Sequence, residues 1–128
     1  MTELPAQQQI RLEAARRGTP LLRNNNGALP SADGRMVRFG LGNDSKRLSD
    51  VFKSSDLVGI RPLMIQPEHV GQIIGQFFAV EVKKPGWPGT PRTKHELAQA
   101  AFGRWVIQHG GYFQFATGTE DILIWQST

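Results

Sequence analysis

The period of the apolar positions changes several times along the chain, and each change predicts an element. Ile10, Leu12 and Ala14 or Ala15 recur in an otherwise polar stretch, which predicts a helix over residues 4–17 stopped by Gly18. Pro20 opens an extended run through Leu21, Leu22 and Arg23 into Asn24-Asn25-Asn26-Gly27, whose residue types suit a turn. Residues 27–34 read as loop. Arg35 to Leu41 alternates apolar and basic residues and predicts a strand, followed by a polar loop to Ser55 with a short helical turn. Two apolar segments follow, Asp56 to Ile65 (interrupted at Pro62) and Gln76 to Lys83, and they predict an antiparallel hairpin turning near His69. After the Pro/Gly loop 84–91, a helix capped near Thr93 runs to about His109, with Ala98, Ala101, Phe102, Trp105 and Val106 at helical spacing. Gly110-Gly111 ends it, Tyr112 to Ala116 predicts a strand, and Glu120 to Trp125 a last helix or strand. This order predicts one α/β domain over residues 1–128, built on a central mixed sheet flanked by helices.

Composition narrows the chemistry. The 128 residues contain no cysteine, which excludes thiolate catalysis, cysteine zinc sites and iron–sulfur clusters. No apolar run is long enough for a membrane span, and the polar start is unlike a secretory leader, so the expectation is a cytoplasmic protein without membrane contact. The formal charge is +4, and it is uneven: residues 1–64 hold ten bases and six acids, residues 65–128 five of each. A basic balance suits a polyanionic partner without specifying a reaction.

Chemistry enters at Glu81 and Lys83. Strand residues two apart share a face, so these opposite charges project together from the end of an apolar strand. In a hairpin whose paired residue numbers sum to about 138, Asp56 falls opposite residue 82. Two carboxylates and an ammonium would then converge, and two close carboxylates favour a cation between them. Hard oxygen ligands, with the Val82 carbonyl as a third, suit Mg²⁺ or Mn²⁺.

Ser55-Asp56-Leu57 followed by Glu81-Val82-Lys83 resembles the signature of the restriction-endonuclease-like PD-(D/E)xK nucleases. A wider set of segments resembles the VRR-NUC family, in its stand-alone phage type. These are Arg23-Asn24-Asn25 with Gly27, Phe39-Gly40-Leu41, Ser54 to Gly59, Phe78 to Lys83, Gln99 and Gly110-Gly111. The resemblance implies a restriction-endonuclease-like fold and a Mg²⁺- or Mn²⁺-dependent endonuclease that hydrolyses phosphodiester bonds, often in branched DNA and often as a homodimer. It implies Asp56 and Glu81 as metal ligands, Lys83 as the catalytic lysine, and Gln99 as support for the site or the scissile phosphate. A bacterial or phage-infected cell would be the setting. Two other functions fit the same residues: a dimeric resolvase of four-way junctions, and a nucleic-acid-binding module with a weak or inactive nuclease site.

The chain departs from the family pattern at two places. Ser55 stands where the signature has proline, and Gln7-Gln8-Gln9 stands where many members place a first-helix glutamate; Glu13 is expected to face solvent. Arg23, Asn24 and Asn25 are candidates for DNA contact, as are Lys84, Trp87, Arg92 and Lys94 around the Pro/Gly loop. Arg35, Arg38, Lys46, Arg47 and Lys53 are candidates for a phosphate-binding surface. His69, His95 and His109 are too scattered in sequence to suggest a metal cluster.

Overall fold

The structure is a computed structural model that describes residues 4–122. It bears out the mixed α/β class: among the described residues there are three α-helices and six short strands in three two-stranded sheets, two antiparallel and one parallel. The contacts divide into two compact units, residues 1–59 and 60–128. Among the described residues, no helix is long and apolar enough to cross a membrane.

In the first unit, α1 (Leu4–Arg16) ends where expected, with Gly18 in the left-handed region at φ 76°. Only Ala14 of its expected apolar face is buried; Ile10 and Leu12 are exposed. Glu13 is ion-paired with Arg16 at 2.8 Å and Arg17 at 3.0 Å, a surface role that agrees with the expectation of solvent. Next, β1 (Leu21–Arg23) pairs with β4 (Leu57–Gly59), placing Leu22 opposite Val58 and Arg23 opposite Leu57.

Residues 27–30, expected as loop, form β2 (Gly27–Pro30), antiparallel to β3 (Met36–Phe39). Glycine and proline at its ends hid this strand from a reading by residue type. Gly27 faces Phe39 across the ladder, and a Cβ there would lie 2.6 Å from the ring Cζ, so the glycine is what admits the ring. Pro30 closes the strand, where a missing N–H costs little. The short helical turn is α2 (Lys46–Val51), capped by Ser45 Oγ, which accepts from the Leu48 N–H at 3.1 Å.

The second unit is a strand–helix–strand crossover. Here β5 (Phe78–Val82) runs parallel to β6 (Tyr112–Ala116), with Glu81 opposite Phe115 and Val82 opposite Ala116. They are joined through α3 (Lys94–Gln108), as a parallel pair requires a long connection. Val106 is fully buried, and Ala116 and Ile122 nearly so. Gly103 of α3 is buried directly against the Phe113 ring, with no room for a Cβ. Phe102, Phe113 and Phe115 meet edge to face in sequence, with centroids 6.3 Å and 5.4 Å apart.

Two expectations need correction. The hairpin of residues 56–65 with 76–83 is not formed among the described residues: β4 takes β1 as its partner and β5 takes β6. The first segment stops pairing after Gly59, and Pro62, just beyond it, has no N–H to give a ladder. The expected single central sheet is, among the described residues, three separate ladders of three to five residues per strand. A short 3-10 turn spans Thr119–Asp121 and ends at Ile122, and positions 123–125 of the element expected over Glu120 to Trp125 lie outside the described residues.

Candidate functional site

The end of β5 carries the chemistry of the second unit. Glu81 and Lys83 share a face as the two-residue period requires, and Gln99, from the second turn of α3, reaches both. Lys83 Nζ donates to Gln99 Oε1 at 2.6 Å, while Gln99 Nε2 donates to Glu81 Oε1. The amide therefore has one sensible orientation: reversed, it would set two donors together at Lys83 and two acceptors together at Glu81. His95, one helical turn earlier, brings its Nε2 to 3.2 Å from the same Gln99 nitrogen. That contact is a hydrogen bond when the ring nitrogen is unprotonated.

Aromatic rings complete the surroundings of Lys83. Its ammonium lies 6.0 Å from the Trp87 ring centroid and 5.8 Å from that of Phe115. The Lys83 backbone N–H donates to the Ala116 carbonyl at 2.8 Å, which carries the β5–β6 ladder one residue further and fixes the lysine's root.

Trp87 is itself held. Its Nε1 donates to Glu96 Oε2 at 2.9 Å, and its ring packs on Phe115 at 5.0 Å. Glu96 completes the capping box of α3, whose N-cap is Thr93: its other oxygen accepts from the Arg92 N–H at 2.9 Å and the Thr93 N–H at 3.3 Å, while Thr93 Oγ1 accepts from the Glu96 N–H at 3.0 Å. The Arg92 amide, then the Trp87 indole and the Thr93 amide, hold the Glu96 carboxyl down at about 2, with the Lys83 charge adding a smaller push. Trp87 is thus a packed element of the Pro/Gly loop, half-buried. Lys84, Arg92 and Lys94 are exposed around it.

The first unit holds the remaining candidates. Asp56 is exposed just before β4, and its loop is fastened by Asn24, which is buried. The Asn24 amide nitrogen donates to Ser54 Oγ at 2.7 Å and to the Ser55 carbonyl at 2.8 Å, and its side-chain oxygen accepts from the Leu41 N–H at 3.1 Å. Its backbone N–H donates to the Asp56 carbonyl at 2.8 Å. Every polar atom of the Asn24 side chain is therefore engaged inside the protein, and its effect is to place the Asp56 loop. Arg23 and Asn25, on either side, are exposed.

A second buried asparagine, Asn43, escaped the sequence reading, which placed it in a polar loop. It donates to the Gly27 carbonyl at 2.9 Å and the Phe39 carbonyl at 2.8 Å, and it accepts from Arg38 Nη2 at 2.7 Å. Gly40 and Gly42 on either side of Leu41 both adopt positive φ, 100° and 68°, a backbone path that glycine permits.

Among the described residues, no three of histidine, aspartate and glutamate cluster. The one carboxylate of β5 is Glu81, whose Oε1 accepts from Gln99; Mg²⁺ is commonly bound through one or two carboxylates and completed by water and phosphate. Comparison with protein-family models, with curated proteins and with solved structures found no match to the chain.

Proposed function

We propose that the chain is a metal-dependent DNA endonuclease that hydrolyses phosphodiester bonds, with a preference for branched DNA. The observation that carries it is the joining of Glu81 and Lys83 through a single Gln99 amide at the end of β5. Opposite charges simply exposed at a strand end need no such bridge. The resemblance of Ser55-Asp56 and Glu81-Val82-Lys83 to the PD-(D/E)xK signature supports the same assignment, as does the likeness of the longer segments to the VRR-NUC family.

In this proposal Glu81 and the Val82 carbonyl would hold Mg²⁺ or Mn²⁺ at β5, and Asp56 would be the second acidic ligand that the resemblance to the PD-(D/E)xK signature implies. The metal, when bound, supplies polarisation of the phosphate and a lowered pKa for a coordinated water. Lys83 stands ready with a fixed ammonium, placed by Gln99 and the two rings, to orient the attacking water and balance charge developing on the phosphate. Gln99 keeps Lys83 from closing onto Glu81 and leaves one carboxylate oxygen outside that bridge. Asn24 holds the Asp56 loop. Exposed Arg23, Asn25, Lys84, Arg92 and Lys94 contribute to DNA affinity through the backbone charge, and a homodimer would place two such sites on one branched substrate.

The test is cleavage of labelled single-stranded, duplex, flap, splayed and four-way-junction DNA with Mg²⁺, Mn²⁺ or chelator. The proposal requires metal-dependent cutting that Asp56→Ala abolishes, fastest on a branched substrate. A preference confined to four-way junctions would favour the resolvase reading. Binding without cutting under every condition would favour a binding module.

A further inference from the structure

Arg38 is built into the first unit in a way that a merely solubilising arginine would not be. Its Nη2 donates to Asn43 Oδ1 at 2.7 Å and its Nε to the Asn43 carbonyl at 3.1 Å, so one residue grips two corners of the guanidinium. Asn43 is in turn buried and pinned to two backbone carbonyls. This leaves Nη1 outside both bonds on a side chain whose freedom has already been removed, the condition under which a cation binds phosphate at little ordering cost.

The same residue lines a cavity of about 350 Å³ whose wall also includes Asn43, Ser49, Phe52, Lys53 and Asp56. The Phe52 ring rests on Gly42, where a Cβ would come within 2.5 Å of Cε1, yet the residue is 57% exposed. One part of the ring is thus seated on backbone and the rest is open, the arrangement of a stacking platform. Lys53 adds a second cation, tethered at 3.1 Å to Ser49 Oγ.

We infer that this cavity is a subsite for one unpaired nucleotide of a DNA strand, its phosphate taken by Arg38 and Lys53 and its base stacked on Phe52. The inference rests on the nuclease reading for its meaning, since Asp56 on the same wall would place the nucleotide beside the reacting phosphate. An unpaired nucleotide is available in splayed or flapped DNA and absent from a continuous duplex, so the subsite supplies a physical source for a preference for branched substrates. Gly42 is part of the device: any side chain there would displace the Phe52 ring.

The experiment is binding of a fluorescein-labelled oligothymidylate, followed by anisotropy in chelator, so that no cleavage or metal enters. The variants are Lys53→Ala, Arg38→Lys, Phe52→Ala and Phe52→Leu, the last keeping an apolar contact on Gly42 while removing the stacking face, and each is checked by thermal melting. Removal of the stacking face weakens binding by about tenfold. Loss of Lys53 does so comparably and lowers the slope of log affinity against log salt by about one. Binding by the Phe52→Leu and Lys53→Ala proteins within about twofold of the unchanged protein overturns the inference. Sensitivity to the two cations alone also overturns it, since that describes a plain phosphate patch. Absence of oligothymidylate binding by the unchanged protein overturns it as well. If the subsite binds as described but no metal-dependent cleavage is found, the nuclease reading fails and the nucleotide site stands.

Discussion

Replacing Gln99 by methionine removes the amide that joins Lys83 to Glu81 while keeping the length and helix preference of the side chain. Two charge-assisted hydrogen bonds disappear, each worth about 1.5–3 kcal/mol in favourable surroundings. Both charged partners are only half-buried, so water regains part of this, and Lys83 can pair directly with Glu81 on the same strand face. The net loss is then about 1–3 kcal/mol, or a fall in melting temperature of about 3–10 °C for a chain of this size. Urea denaturation followed by circular dichroism reads it directly. A double-mutant cycle with Lys83→Met isolates the bridge from the packing of the methionine. A coupling energy below about 0.3 kcal/mol, within the range in which independent sites add, would show that Gln99 is not energetically joined to the lysine and would refute the bridge.

Three further outcomes follow from the packing. Asn24→Ala leaves Ser54, the Ser55 carbonyl and the Leu41 N–H without their buried partner, and costs about 2–4 kcal/mol by denaturant unfolding; Asn24→Asp does no better, because a carboxylate cannot donate to Ser54 and Ser55. Gly103→Ala drives a methyl into the Phe113 ring and destabilises by about 1–3 kcal/mol, seen as a lower urea midpoint. The Glu96 carboxyl sits at about 2 against an ordinary value of 4.5. A depressed folded value means its contribution is complete above 4.5 and is lost as the pH falls from there toward 2. Melting temperature measured across that acid window falls for the unchanged protein, and Glu96→Gln makes the fall shallower.

Much of the local structure was legible because it depends on short-range chemistry. Gly18 as a helix stop, Ser45 in the polar loop, Thr93 with Glu96 three residues on, and Gly110 after α3 each perform the role their type suggests. The pairing of strands was less legible. Pairing β4 with β1 instead of with the next apolar run depends on which backbones meet, and alternation within one strand carries no information about its partner. The site divides in the same way. That Glu81 and Lys83 share a face follows from the period of a strand, and Gln99 was expected from the resemblance. Its simultaneous contact with both charges and with His95 could be seen only once α3 was packed on β5. Asn24 stands among the candidate DNA contacts because of its place in the family pattern, whereas its residue type alone suits a plain turn. In the structure Asn24 is buried and holds the Asp56 loop, and burial also raises Asn43 from a loop residue to the anchor of Arg38.

We propose that Glu81 takes a divalent cation, with Asp56 as the second acidic ligand implied by the resemblance, and that Lys83 works beside the cation without binding it. The measurement is Mn²⁺ binding, by electron paramagnetic resonance, in parallel with cleavage of flapped DNA, for the unchanged protein, Glu81→Gln and Lys83→Ala. The unchanged protein is expected to bind and cut, Glu81→Gln to do neither, and Lys83→Ala to retain the metal but no longer cut. Cutting by Lys83→Ala at the unchanged rate, or no Mn²⁺ bound by the unchanged protein, would contradict the proposal.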